Sequence, residues 1–312
     1  MISVVVVNYN GKKFLEDCLS SLDRQTYRDF EIILVDNGSF DESIAYVRER
    51  YPSVIIIETG KNLGFAGGVN TGINIAKGEL IFTLNNDTIA DPHLLAEIVM
   101  PMLSDSKNGM CAAKMLFPDG RINSTGICIS RSGAAWDRGM GETDHGQYDA
   151  EEEIFGPCAG AALYRRSMID EIGVFDEDFF LYMEDVDLAF RGRLAGWKST
   201  YVPKARVIHF RGGTAGFKSD ISVFYSNRNL LWTIIKNFPA HTFLISSPWI
   251  IGRYCADIPF YILKGNGYAI LRAKIASLKG LIGNYKKRKR LNKKIPDADI
   301  EKWFCTQMKI IE

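Results

Sequence analysis

The chain reads as an α/β protein with a mostly parallel, doubly wound sheet, flanking helices and a C-terminal helical extension. Two observations carry this. Short β-branched or apolar runs alternate with amphipathic helical patterns through the first hundred residues, and most of those runs end in polar loop residues. The runs at 4–7, 32–35, 54–57 and 80–84 suit strands buried on both faces. Residues 12–22, 41–50 and 66–76 fit helices between them. Three of the strands run into Asn8-Tyr9-Asn10, Asp36-Asn37-Gly38-Ser39 and Asn85-Asn86-Asp87. Ligands of open α/β sheets bind beyond the carboxyl ends of strands, so these three loops are expected to line one crevice.

Residues 108–165 look mixed, with strands near 110–116 and 159–165. The stretch 131–153 is rich in Gly and charge around a lone Trp136, and reads as a mobile loop or lid. Next comes Phe179-Phe180-Leu181-Tyr182-Met183-Glu184-Asp185-Val186-Asp187, three carboxylates in four positions against apolar and aromatic neighbours. A carboxylate beside such a wall is partly desolvated, which raises its pKa and makes it a better proton acceptor. The segment also fits an acidic helix start, where the dipole favours negative charge. A helix to about residue 194, strands at 200–202 and 205–210, and a helix at 223–238 carrying Arg228 follow. The expected organisation is a catalytic unit at 1–238, with halves at 1–107 and 108–238, and a C-terminal region at 239–312.

In that region the apolar segment 242–263 is broken by Pro248, Arg253, Asp257 and Pro259, too short an uncharged run for a membrane span of about twenty residues. Tyr268, Leu271, Ile275, Leu278 and Ile282 then recur at helical spacing among cations, ahead of seven Lys/Arg in residues 286–294. From Lys264 onward thirteen Lys/Arg face four Asp/Glu, although the whole chain carries a formal net charge of only +1. A basic amphipathic tail points to an anionic membrane surface, and the apolar segment beside it favours that over nucleic acid. The six cysteines show no CxxC spacing, so neither a zinc site nor a disulfide framework is indicated. Met1 runs straight into a strand, unlike a signal peptide, and the sequons at Asn37 and Asn86 fall in crevice loops where a glycan would block function. The expected location is cytoplasmic, peripheral on the inner face of the plasma membrane.

A set of motifs in order gives a resemblance. They are Val6-Val7-Asn8-Tyr9-Asn10-Gly11, Leu34-Val35-Asp36-Asn37-Gly38-Ser39, Asn62-Leu63-Gly64-Phe65-Ala66-Gly67-Gly68-Val69-Asn70, Leu84-Asn85-Asn86-Asp87, Gly173-Val174-Phe175-Asp176-Glu177, Tyr182-Met183-Glu184-Asp185, and His209 with Gly212-Gly213-Thr214. Together they resemble a family 2 glycosyltransferase of the GT-A fold, of the bacterial rhamnosyltransferase kind, from Ser3 to about Trp232.

The resemblance implies an inverting, metal-dependent glycosyltransferase of cell-surface polysaccharide synthesis. Its donor would be a nucleotide-diphospho-sugar, dTDP-L-rhamnose, and its acceptor a polyprenyl-linked saccharide. It implies that Asn8, Asn10, Asp36, Asn37, Asn62, Gly67, Asn85, Asn86 and Arg228 bind the donor, Arg228 near the diphosphate. It implies that Asp87 and His209 hold Mg2+ or Mn2+, with Asn85 where the family carries an acid, and that Asp185 is the base of a dyad with Glu184. Trp136, Gly160 and Tyr182 would face the acceptor, with the small residues around Gly160 leaving room for a sugar ring. The other readings are a different donor, such as a UDP-linked galactofuranose, galactose or N-acetylhexosamine, and a non-catalytic sugar-nucleotide-binding membrane scaffold. A nucleotidyltransferase is disfavoured, because Asn8-Tyr9-Asn10-Gly11 holds no Lys or Arg for a phosphate loop.

Overall fold

The computed structural model describes residues 1–210 and 219–305. Gly212, Gly213 and Thr214 lie outside the described residues. The first half alternates as expected: β1 (Ile2–Asn8), α1 (Lys12–Asp23), β2 (Phe30–Asp36), α2 (Ser43–Arg50), β3 (Ile55–Glu58), α3 (Gly64–Ile75) and β4 (Leu80–Asn85). It continues through β5 (Thr88–Ala90), α4 (Leu94–Ile98), α5 (Met100–Ser104), β6 (Asn108–Leu116), β7 (Ile122–Ser124), β8 (Ile127–Ser130), β9 (Ala135–Asp137) and β10 (Glu152–Glu153). Then come β11 (Ala161–Arg165), α6 (Arg166–Ile172), α7 (Glu184–Leu194) and β12 (Lys198–His209). The C-terminal part holds α8 (Asp220–Asn237), α9 (Ala240–Leu263), α10 (Gly267–Lys279), α11 (Leu281–Arg288), α12 (Asp297–Glu301) and β13 (Phe304–Cys305).

One sheet runs in the order β10-β12-β6-β11-β4-β1-β2-β3. In the run from β12 to β3 only β11 opposes its neighbours, so the halves at 1–107 and 108–238 share a single, mostly parallel sheet. Strand alternation divides the core. Val4, Val6, Ile32 and Leu34 pack on the face of α1, α2 and α4, whereas Val5, Ile33 and Val35 pack on the face of α3, α6 and α7. Glycines bring α3 close to the sheet: a Cβ on Gly72 would stand 2.4 Å from Val5 Cγ1, and one on Gly68 2.7 Å from Val7 Cγ1.

Three expectations change. Residues 54–57, expected buried on both faces, form β3 at the sheet edge, where Ile55 is 36% exposed. The strands at 200–202 and 205–210 are one strand, β12, with a register shift between Val202 and Arg206 that absorbs Pro203. The stretch 131–153 is pinned rather than open. Lys114, fully buried on β6, pairs with Asp144 and Asp149 at 2.7 Å each, and Tyr201 Oη donates to Tyr148 O at 2.9 Å. A buried ammonium demands such partners, and this one takes them from the loop.

The C-terminal region folds back on the catalytic unit. α10 and α11 pack on α8, and β13 pairs with β8. The basic run contributes to that docking: Lys287 bridges Asp176 (2.5 Å) and Asp178 (2.6 Å), and Lys294 pairs with Glu171 at 2.7 Å. Among the described residues, no helix is long and apolar enough to cross a membrane.

Candidate active site

The strand register aligns the three polar strand ends. Asn8 lies opposite Asp36, and Val7 opposite Asn85. Their side chains form one buried network: Asn86 Nδ2 donates to Asn8 Oδ1 (2.8 Å), and Asn8 Nδ2 donates to Asp36 Oδ1 (3.3 Å) and Ser39 Oγ (3.2 Å). Asp36 Oδ2 accepts from the Ser39 amide, so the turn fixes the carboxylate. Asn10, at φ 53°, receives the Phe40 amide, while Asn37 Nδ2 donates to Gly64 O at 2.8 Å and so ties the β2 loop to α3.

The glycine-rich motif does something other than face a ligand. Asn62 Oδ1 caps the Gly64 amide (2.8 Å), and the Phe65 and Ala66 amides point at Phe180 O (2.7 and 3.4 Å). Gly67 lies inside α3, where a Cβ would stand 2.8 Å from Leu63 Cβ. Gly64, at φ +73°, exists for the approach of Phe180, whose carbonyl oxygen would stand 2.2 Å from a Cβ there.

That contact leads to the carboxylate segment. Phe180, Tyr182 and Met183 all have φ between 64° and 70°, a region costly for residues with a Cβ, at about 1–3 kcal/mol each. Asn229 on α8 holds them there, its Nδ2 lying 2.8–2.9 Å from the carbonyls of Phe179, Leu181 and Tyr182. Arg228 assists: its Nη2 donates to Asp178 O and Phe179 O at 2.8 Å, and its guanidinium lies over Trp232 (4.2 Å). Arg228 thereby commits Nη2 to the loop. It braces the loop, a role its helical position did not signal.

The loop delivers Glu184 and Asp185 at the start of α7. Asp185 Oδ2 accepts from the Ala159 amide (3.2 Å) and Oδ1 from the Val186 amide (2.8 Å). Burial nonetheless pushes Asp185 up to about 6, helped by the nearby Asp137 carboxylate on β9. Glu184 is 5% exposed, its Oε2 has no hydrogen-bond partner, and burial with the Asp185 charge drives it well above the carboxylate range. Burial thus favours the protonated form of Glu184 beside Asp185. Tyr164 Oη, also buried without a partner, is raised by burial and then by Asp185. Asp137, Ala159 and Asn229 were not identified from the sequence. Only Asn229 left a trace, as one more amide in the polar run Ser226-Asn227-Arg228-Asn229.

A second cluster lies across Ala159–Gly160. The Gly160 carbonyl accepts the Asn85 amide at 2.9 Å, and a Cβ at 160 would meet Met115 at 3.0 Å and Asn85 at 3.2 Å. Gly160 thus permits close strand packing. The β5–β12 pairing brings His209 to Asp87, Nε2 to Oδ1 at 3.2 Å, with Asn85 Nδ2 at 3.3 Å. His209 Nδ1 faces Asn123 Oδ1 at 3.0 Å, which makes Nδ1 the protonated nitrogen and leaves the Nε2 lone pair toward the Asp87 carboxylate. Two cis ligands of an octahedral Mg2+ or Mn2+ with bonds of about 2.1 Å stand roughly 3 Å apart, so this pair fits a divalent cation. Among the described residues no third His, Cys, Asp or Glu joins them. Trp136 is half-buried on β9, next to Asp137, and Tyr182 sits two residues before Glu184.

The model of glycosyl transferase family 2 matches residues 3–173. An N-acetylglucosaminyl-diphospho-decaprenol L-rhamnosyltransferase of Mycobacterium tuberculosis is 32% identical over 240 residues, covering 69% of this chain and 78% of that protein. The O-antigen biosynthesis protein RfbC of Myxococcus xanthus is 27% identical over 67% of this chain and 17% of its own length. Among solved structures, GalNAc-T7 with UDP, GalNAc and Mn2+ superposes with a TM-score of 0.62 at 18% identity, over 76% of this chain; the match spans about half of that protein (48%). The Pyrobaculum calidifontis mannosyltransferase PcManGT with GDP-Man and Mn2+ gives 0.56 at 17% identity, over 90% of this chain and 86% of that one. The strand-end network, the buried carboxylate pair and these likenesses agree: the chain belongs to glycosyl transferase family 2 and is a glycosyltransferase on the GT-A fold.

Proposed function

We propose that the protein transfers L-rhamnose, with inversion, from dTDP-L-rhamnose to a saccharide carried on a polyprenyl diphosphate. The observation that carries the mechanism is Asp185, a carboxylate raised to about 6 and aimed by two backbone amides. Ionised at neutral pH, it takes the proton of an acceptor hydroxyl as that oxygen attacks the anomeric carbon. A single base and a single displacement invert the configuration. Glu184, kept neutral, leaves Asp185 as the one charge of the pair. Asp36, fixed by Asn8 and Ser39, offers an acceptor for a base N–H or a ribose hydroxyl of the donor. Asp87 and His209 would hold a divalent cation, which supplies charge neutralisation for the departing diphosphate. The choice of rhamnose and of a lipid-linked acceptor is supported by the mycobacterial relative.

The protein would work on the cytoplasmic face of the plasma membrane. Leu244, Trp249, Ile251, Leu263, Tyr268, Ile275 and Ile282 are more than half exposed along α9 to α11, beside exposed cations such as Lys289 and Arg290. Each Lys or Arg near an anionic surface adds about 1 kcal/mol. The function is tested by a thermal-shift panel of dTDP, UDP and GDP with and without Mg2+ or Mn2+, followed by transfer assays with a prenyl-diphosphate-linked acceptor. dTDP should stabilise most, by RT ln(1 + [L]/Kd), and chelation should abolish transfer until metal is restored. Stronger stabilisation by UDP or GDP would replace the donor, and full activity in chelated buffer would remove the metal.

A further inference from the structure

A groove of about 280 Å3 runs between α8 and α10, lined by Phe224, Arg272, Ile275, Ala276 and Lys279. Its floor is apolar and its two cations are exposed. Arg272 lies over the Phe224 and Tyr268 rings at 5.3 and 5.4 Å. Among the described residues neither Arg272 nor Lys279 has an acidic partner. Lys274, on the same helix, is by contrast buried and paired with Asp257 at 2.8 Å. A chain of ring contacts runs from the groove to the loop that carries the base. Phe224 packs edge-on against Tyr225 (5.0 Å), Tyr225 stacks on Phe180 (5.0 Å, 21°), and Phe180 opens the strained loop that ends in Glu184 and Asp185. On its outer side the exposed Leu271, Leu278 and Ile282 extend the apolar strip.

We propose that this groove seats the prenyl-linked diphosphate of the acceptor: Arg272 and Lys279 grip the phosphates, and Phe224 and Ile275 hold the first isoprene units. The proposal rests on the reading that the acceptor is lipid-linked. Two cations without an acidic partner among the described residues, flanking an apolar floor, match an anion joined to a hydrocarbon, and charge-assisted phosphate contacts are the strong ones.

The test is binding of farnesyl diphosphate by calorimetry in neutral detergent, which needs no transfer activity. The full chain should bind it, Arg272→Gln/Lys279→Gln should weaken binding by about tenfold or more, and farnesol should bind far more weakly than the diphosphate. Lys289→Gln/Arg290→Gln, which removes equal charge from the exposed end of the tail, should leave binding within about twofold. Unchanged binding in the groove variant, or an equal loss in the tail variant, would overturn the proposal. So would competition by phosphatidylglycerol as effective as the prenyl diphosphate itself, which would assign the groove to a membrane headgroup. Farnesyl diphosphate binding without transfer to any prenyl-diphosphate sugar would sink the proposed function while leaving the groove in place.

Discussion

Asp185 and Asp187 sit two positions apart on the first turn of α7, both in protein surroundings, and they behave in opposite ways. Burial works against the charge of each. Around Asp187, Lys236 (2.9 Å) and Arg191 (2.8 Å) outweigh it, Asn237 adds a donor at 2.8 Å, and its carboxyl falls to about 2. Around Asp185 two backbone amides oppose burial without outweighing it, and the carboxyl rises to about 6. One helix turn thus carries a structural anion on one side and a reactive one on the other. Sequence proximity says nothing about which is which. The supply of cations from α8 and α11 decides it, because Lys236 is shared with Asp176, which Lys287 also holds.

Removing that supply should produce the largest effect. Lys236→Met would leave Asp187 and Asp176 short of a buried partner, and a broken buried pair costs about 3–5 kcal/mol. Urea or guanidinium melts should register that loss, and a cost below about 1 kcal/mol would mean that Arg191 and Lys287 suffice. The sign with pH follows from the depressed carboxyl. Asp187 adds stability above its unfolded pKa of about 4, and that stability is lost as pH falls through 2.

Asp185→Asn inverts the pattern. Transfer should fall by roughly a hundredfold or more while donor binding persists. Since the folded pKa lies above the unfolded value, the stabilising contribution of Asp185 is complete below about pH 4 and disappears as pH rises through 6. At pH 7 the ionised base is therefore a burden, and Asn should stabilise the fold by about 1–2 kcal/mol after allowance for its partial exposure. In the wild type, kcat/KM should drop about tenfold per pH unit below 6. A variant that lost activity and stability together would place Asp185 with the structural carboxylates.

Much of this site could be read along the chain, because its parts are local. Strand ends such as Asn8, Asp36 and Asn85-Asn86-Asp87 announce themselves by an apolar run followed by polar turn formers. The acidic, aromatic context of Asp185 already suggested a raised pKa, and the structure agrees. What could not be read depends on distant pairings. Asn229 reaches Phe179 across 50 residues, and Lys287 reaches Asp176 across 111. The bracing by Arg228 was hidden for the same reason: periodicity places it on a helix but does not show that Nη2 donates to the carbonyls of Asp178 and Phe179. The glycines of residues 64–72 are ambiguous in another way. Loops that approach phosphate and helices that approach a sheet both need a missing Cβ, and the structure shows the second need at Gly68 and Gly72 and the approach of Phe180 at Gly64.

The smallest expected effect is at Glu184, and it sharpens the comparison most. Its Oε2 is buried without a partner, and burial together with the Asp185 charge holds it well above the usual range. If Glu184 is neutral at pH 7, Gln is close to an isostere of the state that works. Glu184→Gln should then change stability by less than about 1 kcal/mol and transfer by less than about tenfold, because no charge is removed. The lower limb of the pH–rate profile should stay near 6, since that limb reports the ionisation of Asp185. An ionised Glu184 predicts otherwise. Removing its charge would relieve repulsion on Asp185, draw the limb toward the ordinary carboxylate range near 4, and stabilise the fold. Comparing pH–rate profiles of wild type and Glu184→Gln therefore decides which member of the pair carries the single charge at neutral pH, and an unmoved limb assigns it to Asp185.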